Sequence, residues 1–190
     1  MALLPDRRHG VGVNGARALR LAIAVAAFLA TGLLAASALA TSTSETSLHS
    51  LSRQVLAAVN RFRRAHGLVA LHESSALDRS ARQHSLEMGR RGYFSHSSAN
   101  GTIFWRRIRR YYGADHFSYW SVGENLLWAS PRVTSGRAMR IWIGSPEHLA
   151  NLLTPRWRQL GVSAVQVLHA PGIYHGMRVT IITTDFGVRH

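Results

Sequence analysis

The hydrophobic pattern of this chain changes period at Pro155, and that change restricts the folds open to it. Up to Pro155, apolar residues recur every three or four positions. Beyond it, Gly161 to Leu168 and Arg178 to Phe186 are rich in Val, Ile and Thr and flank a Pro171-Gly172 turn. The first pattern belongs to amphipathic helices and the second to strands. Two strands joined by a turn predict an antiparallel pair, and a further strand around Tyr119 to Leu127 would extend it into a small sheet.

The helical part divides at its own punctuation. Leu51, Val55, Val59 and Phe62 share one face and Gly67 supplies a stop, which predicts a helix from about Leu48 to His66. Ser75-x-x-Asp78 has the form of a capping box, and Leu77, Ala81, His84 and Met88 then line one face before Gly89 and Gly92. Thr102 is placed to cap a short helix with Phe104, Trp105 and Ile108 inward. Ser130-Pro131 has the cap-then-proline form for a helix through Ile141 and Trp142, and Ser145-Pro146 repeats it for a short helix ending before Pro155. Together these elements predict an α+β fold in which helices cover both faces of the sheet, a three-layer α-β-α sandwich.

Arg7, Arg8, Arg17 and Arg20 precede an uncharged apolar stretch from Leu21 to Ala40 that ends in Ala38-Leu39-Ala40. This is the pattern of a secretory signal, residues 1–40, cleaved after Ala40. An uncleaved membrane anchor is the competing reading, since about 20 apolar residues can span a bilayer. Residues 41–47 read as a flexible polar leader, and residues 48–190 as one domain with room for one core. The expected location is therefore secreted or in the cell envelope. The chain has no cysteine, so disulfide frameworks, thiolate zinc sites and cysteine nucleophiles are excluded.

Beyond Ala40 there remain 19 arginines, no lysine and eight acidic residues, a formal charge of +11. Such a balance suits an anionic lipid surface or a cell-envelope polymer. Its densest cluster is Arg106, Arg107, Arg109 and Arg110, interleaved with Trp105, Ile108 and Tyr111, and the plain alternative is a solvated helix face. No nucleic-acid-binding motif is present, so no nucleic-acid partner is expected, and the domain is read as a monomer.

Three short runs carry the candidate chemistry: Gly92-Tyr93-Phe94-Ser95-His96-Ser97, Gly123-Glu124-Asn125-Leu126, and Ser145-Pro146-Glu147-His148-Leu149-Ala150-Asn151-Leu152-Leu153. They offer two imidazoles and a carboxylate from separate segments, a composition used for divalent metals and for acid–base work. Neither a His-Glu-x-x-His helix nor a Gly-x-Ser-x-Gly elbow accompanies them, so Ser95 and Ser97 have no support as nucleophiles.

With Val59-Asn60-x-x-Arg63-x-x-His66-Gly67-Leu68 before them and Thr184-Asp185-Phe186-Gly187 after, these runs resemble, in order and spacing, a bacterial cysteine-free member of the CAP superfamily (cysteine-rich secretory proteins, antigen 5 and pathogenesis-related 1; SCP-like). The resemblance implies the α-β-α sandwich and a cleft of two histidines and two glutamates that in some members binds zinc or another divalent cation. Carried over by residue, the metal-site positions are His96, Glu124 and His148. The second glutamate's place, three residues after Trp142, is taken by Ser145. Glu147 lies nearby, but adjacent helical residues point about 100° apart, so Glu147 and His148 need not face one cavity.

Two imidazoles and Glu124 could hold a metal-bound water for attack on a peptide or ester bond, with Glu124 as the candidate catalytic group. The resemblance itself implies no general hydrolase activity, and many members look like binding proteins for lipids, sterols or other partners. The reading is thus a binding module, with a metal-dependent hydrolase as the alternative. Glu124 as a mere loop anchor, Asn125 and Asn151 as clamps, and the tryptophans and the remaining histidines as core or surface groups are the structural readings beside it.

Overall fold

The computed structural model describes residues 45–190, and the arginine-flanked apolar segment read as a signal or anchor lies outside the described residues. Helix α1 (His49–Ala65) follows the predicted span closely. It buries Val55, Ala58 and Val59, and the chain then leaves through Gly67 in the left-handed conformation (φ 71°). Helix α2 (Ser75–Arg91) ends at Gly92, which adopts φ 70° and leaves no room for a side chain, since a Cβ there would lie 2.5 Å from the Pro171 carbonyl oxygen. Gly89 was expected to end this helix. It lies inside it instead, where a Cβ would come within 2.5 Å of Val167 and push the helix off the sheet.

The sheet contains β1 (Glu45–Ser47), β2 (His72–Glu73), β3 (Trp120–Ala129), β4 (Gln159–Val167) and β5 (Val179–Arg189). Its order is β1-β4-β5-β3, antiparallel throughout, with β2 adding a short parallel pairing to β4. Residues 45–47, expected to be part of a flexible leader, are therefore a strand, paired with Val165 to Val167. Helices α1, α4 (Ser135–Ile143) and α5 (Pro146–Leu153) cover one face, and α2 with the short α3 (Phe104–Arg109) covers the other. The three-layer arrangement is as predicted.

Several local signals act differently from their sequence reading. Asp78 does not close a capping box: its Oδ1 accepts the Val162 backbone N–H at 2.7 Å, so it ties α2 to β4. Ser74, not Ser75, precedes the first turn of α2. No side chain caps α3, which follows Ile103 rather than Thr102. Ser130-Pro131 is a cis peptide in the loop, and α4 starts only after Thr134, whose Oγ1 accepts the Arg137 N–H at 3.2 Å. Pro146 does open α5, at the predicted position.

The Asn-Arg run of α1 proves to be structural. Asn60 brackets Leu71, accepting its N–H at 2.7 Å and donating to its carbonyl at 2.9 Å. Arg63, fully buried, donates to the carbonyls of Val69 (3.0 Å), Leu152 (2.8 Å) and Thr154 (3.0 Å). Two of those carbonyls belong to the C-terminal end of α5, where a cation also meets the negative end of the helix dipole. Helix α5, which carries His148, is held by this contact.

Candidate functional site

The site is built on a buried ion cluster beneath one exposed imidazole. Glu124 sits on β3 directly opposite Asp185 of β5, and both side chains face the α2 layer. Strand alternation places them there with Leu126, Thr183 and Ile181, so two carboxylates enter the interior side by side. Arg107 meets them from α3. It is 2% exposed, donating one Nη to Glu124 Oε2 and the other to the His96 backbone carbonyl at 2.9 Å. The remaining Glu124 oxygen, Oε1, accepts from His96 Nδ1 at 2.8 Å.

Three consequences follow for His96. Its Nδ1 carries the proton that Glu124 accepts, so in the neutral ring Nε2 is the nitrogen with a free lone pair. The ring is 51% exposed while Glu124 is 1% exposed, so the carboxylate fixes the imidazole from behind and the imidazole faces outward. Burial, then the Arg107 charge, lowers the His96 pKa, so the ring is neutral at physiological pH.

The carboxyl pair shares its charge unequally. Burial raises Glu124 to about 7 against the pull of Arg107, and Asp185, wholly buried beside Glu124, is raised well above the usual carboxylate range. Asp185 lies within hydrogen-bonding reach of the Glu124 carboxylate and the Ser80 hydroxyl, and two ionised carboxylates cannot donate to one another. A neutral carboxyl is the cheaper form in that position, so the pair keeps a proton on Asp185 and its charge on Glu124, against Arg107. His84 completes the cluster from α2. Its Nε2 bonds the Ser95 carbonyl at 2.8 Å, and burial first, then Arg107, lowers its pKa to about 3. A neutral buried His84 thus holds the backbone immediately before His96.

His148 approaches from the other side. It lies on α5, its pKa lowered by burial and then by His96, and its Nδ1 is buried without a partner. Helix α5 is locked to β3 by Asn151 Nδ2, which donates to the Glu124 carbonyl and to Asn125 Oδ1, both at 3.0 Å, and by Asn125 Nδ2 to the His148 carbonyl at 3.1 Å. Both asparagines are clamps. His96, Phe104, Glu124, Glu147, His148 and Arg156 line a cleft of about 370 Å³. Glu147 is exposed at its rim and accepts from its own backbone N–H and from Ser145 Oγ (3.0 Å), the residue standing in the second glutamate's place.

Two sequence readings change here. Glu124 is not available as an open ligand, because both oxygens are engaged, and among the described residues no three His, Asp or Glu side chains converge to hold an ion. Arg107 does not belong to an anion-binding face with Arg106, Arg109 and Arg110, because it is interior. Asp185 and His84 are site residues that the sequence reading does not find, and Arg107 is one that it assigns to the surface instead of to the cleft. Phe104, Arg107 and Ile108 stand at i, i+3 and i+4, a spacing that puts all three on one helix face and could have singled Arg107 out.

A family model described as CAP, the cysteine-rich secretory protein family, matches residues 56–173, and the chain belongs to that family. It is 29% identical over 127 residues to the uncharacterized protein YkwD of Bacillus subtilis, covering 66% of this chain and 47% of YkwD, about half of that relative. Among solved structures, an outer surface protein of Borrelia burgdorferi superposes with a TM-score of 0.63 at 17% identity, over 78% of this chain and 99% of that one. An extracellular protein of Bacillus anthracis containing an SCP domain gives a TM-score of 0.56 at 26% identity, over 73% of this chain and 40% of that one. These neighbours support the α-β-α sandwich directly and are described as outer-surface or extracellular proteins.

Proposed function

We propose that this CAP domain is an extracytoplasmic binding module that takes its ligand between the imidazoles of His96 and His148. The observation that carries this reading is the fixing of an exposed His96 by a buried Glu124, which leaves Nε2 as an oriented, neutral donor of a lone pair. Outer fixing of a ligating imidazole by a carboxylate is the arrangement that raises ligand basicity at metal sites. The donor set fits a cation held by His96 and His148 with solvent completing the shell; such an ion would polarise whatever oxygen it bound. It does not fit the three-ligand hydrolytic centre of the alternative reading, since Glu124 is 1% exposed and its two oxygens are turned to His96 and Arg107 instead of into the cleft.

Zinc is the probe. An ion that binds only the folded state adds RT ln(1 + [L]/Kd), about 2.7 kcal/mol at 100 times Kd. Scanning calorimetry with and without zinc should show that increment in the wild type and lose most of it in His96→Ala and in His148→Ala. The increment should fade only at pH values under the ordinary imidazole range near about 6.5, as pH falls through the lowered pKa values of His96 and His148, since protonated rings do not ligate. Equal zinc shifts in all three proteins would mean that the imidazoles are not the ligands.

A further inference from the structure

The exposed arginines converge somewhere other than at residues 106–110. Arg107 is interior, and Arg109 lies at the limit of pairing, 4.0 Å from Asp115. On α2, by contrast, Arg79, Arg82, Arg90 and Arg91 line a single groove of about 610 Å³ together with Tyr111 and the buried Leu86. Positions 79, 82, 83, 86, 87 and 90 follow the spacing of one helix face, so this stripe is set by the helix itself. From Arg79 to Arg90 it extends roughly 16 Å at 1.5 Å per residue. The groove's one carboxylate, Glu87, accepts from Tyr93 Oη (2.9 Å) and Gln83 Nε2 (3.4 Å), so its Oε2 is already engaged by neighbouring donors.

We infer that this groove is a second binding site, separate from the imidazole cleft, and that it takes a linear polymer of phosphates. Guanidinium forks match phosphate oxygens two at a time, and the groove aligns them in a row instead of clustering them about a point. A row of that length meets several consecutive phosphates of a strand. A bilayer presents its phosphates in a plane and reaches arginines that project, whereas these line a recess along the helix. Arg82 also donates to Ser47 Oγ at 3.2 Å, which steadies its side chain from the β1 side. The chain's formal +14 charge steers any polyanion toward it, and the groove supplies the local match.

The test measures anisotropy of a labelled long-chain polyphosphate with the full chain at low and moderate salt. Two triple variants with the same charge change are compared: Arg79→Gln, Arg82→Gln and Arg91→Gln in the groove, and Arg106→Gln, Arg109→Gln and Arg110→Gln on and just after α3. All six positions are exposed, and thermal melts confirm that both variants remain folded. The groove triple should weaken binding about tenfold or more and reduce the salt slope by about 1 per arginine removed, while the α3 triple should change it by less than about threefold. Orthophosphate should compete only weakly, and binding to phosphatidylglycerol vesicles should not depend on the groove arginines. Equal losses in both triples would reduce the effect to net charge and overturn the proposal. So would groove-dependent binding of vesicles but not of polymer, tight binding of orthophosphate alone, or no polymer binding at low salt.

Discussion

On the α1 side of the sheet, Leu160, Val162, Ala164, Ile182, Phe186 and Val188 form a continuous apolar surface. On the α2 side, the rows that begin with Val179, Ile181 and Leu126 run on into Thr183, Asp185 and Glu124. The same strands thus supply a dry core to one layer and a buried ion cluster to the other. Desolvating Arg107 and Glu124 offsets most of their mutual attraction, so the cluster adds little net stability for its size. What it does add is position, because the His96 ring and the His96 carbonyl are both tied to it. The α1 layer holds the molecule together, and the α2 layer gives up interior volume to aim one imidazole.

The sharpest way to break this comparison is Arg107→Leu. It leaves Glu124 buried and unpaired, and urea denaturation should show a loss of about 3–5 kcal/mol. The double variant Arg107→Leu with Glu124→Leu should recover most of that loss while removing the support of His96; a double variant no more stable than the single one would mean that the pair is a true stabilising contact. On the dry face, Ile182→Ala should cost about 3 kcal/mol through lost burial and a residual cavity. The two costs should differ in pH dependence. That of Ile182→Ala should stay flat, whereas that of Arg107→Leu should shrink as pH falls and Glu124 takes up a proton.

A smaller effect isolates the second carboxyl. Because the folded-state pKa of Asp185 is raised, the folded protein retains a proton that the unfolded chain releases above about 4. Its contribution to stability is therefore fully present below that pH and is lost as pH rises toward the folded pKa. Asp185→Asn should match the wild type near pH 4 and exceed it at pH 8, with the gap widening as pH rises, read from denaturation midpoints. The opposing effect of His84, whose lowered pKa removes stability as pH falls from about 6.5 toward 3, is common to both proteins and cancels in the difference. An Asp185→Asn variant less stable than the wild type at pH 8 would show that Asp185 is charged in the folded protein.

The dry layer was the more legible of the two. Val55 and Val59 of α1, Trp142 of α4 and Leu152 of α5 all stand at periodic positions, and burial of a helical stripe follows from that period alone. The final two strands showed themselves equally well through Val, Ile and Thr. Where legibility failed, one residue type had two available uses. Asp78 fits a cap and instead receives a strand N–H, Gly89 fits a stop and instead admits Val167, and Ser130-Pro131 fits a helix start and instead turns a loop. Local chemistry permits both uses in each case, and only the neighbour brought up by the fold selects one.

For the site, the sequence by itself determined which side chains could do chemistry: the spacing of His96, Glu124 and His148 on three separate runs, and the absence of cysteine. It also placed Glu124 and Asp185 in strands, from which pairing could bring them together. What only the tertiary structure decided was the use of each. Whether an arginine is a surface charge or the buried partner of a carboxylate depends on what lies within a few ångströms, and Arg107 is separated from Glu124 by 17 positions and from His96 by 11. Electrostatic role is set by distance and solvent access, and neither is encoded in the run of residues on either side of Arg107.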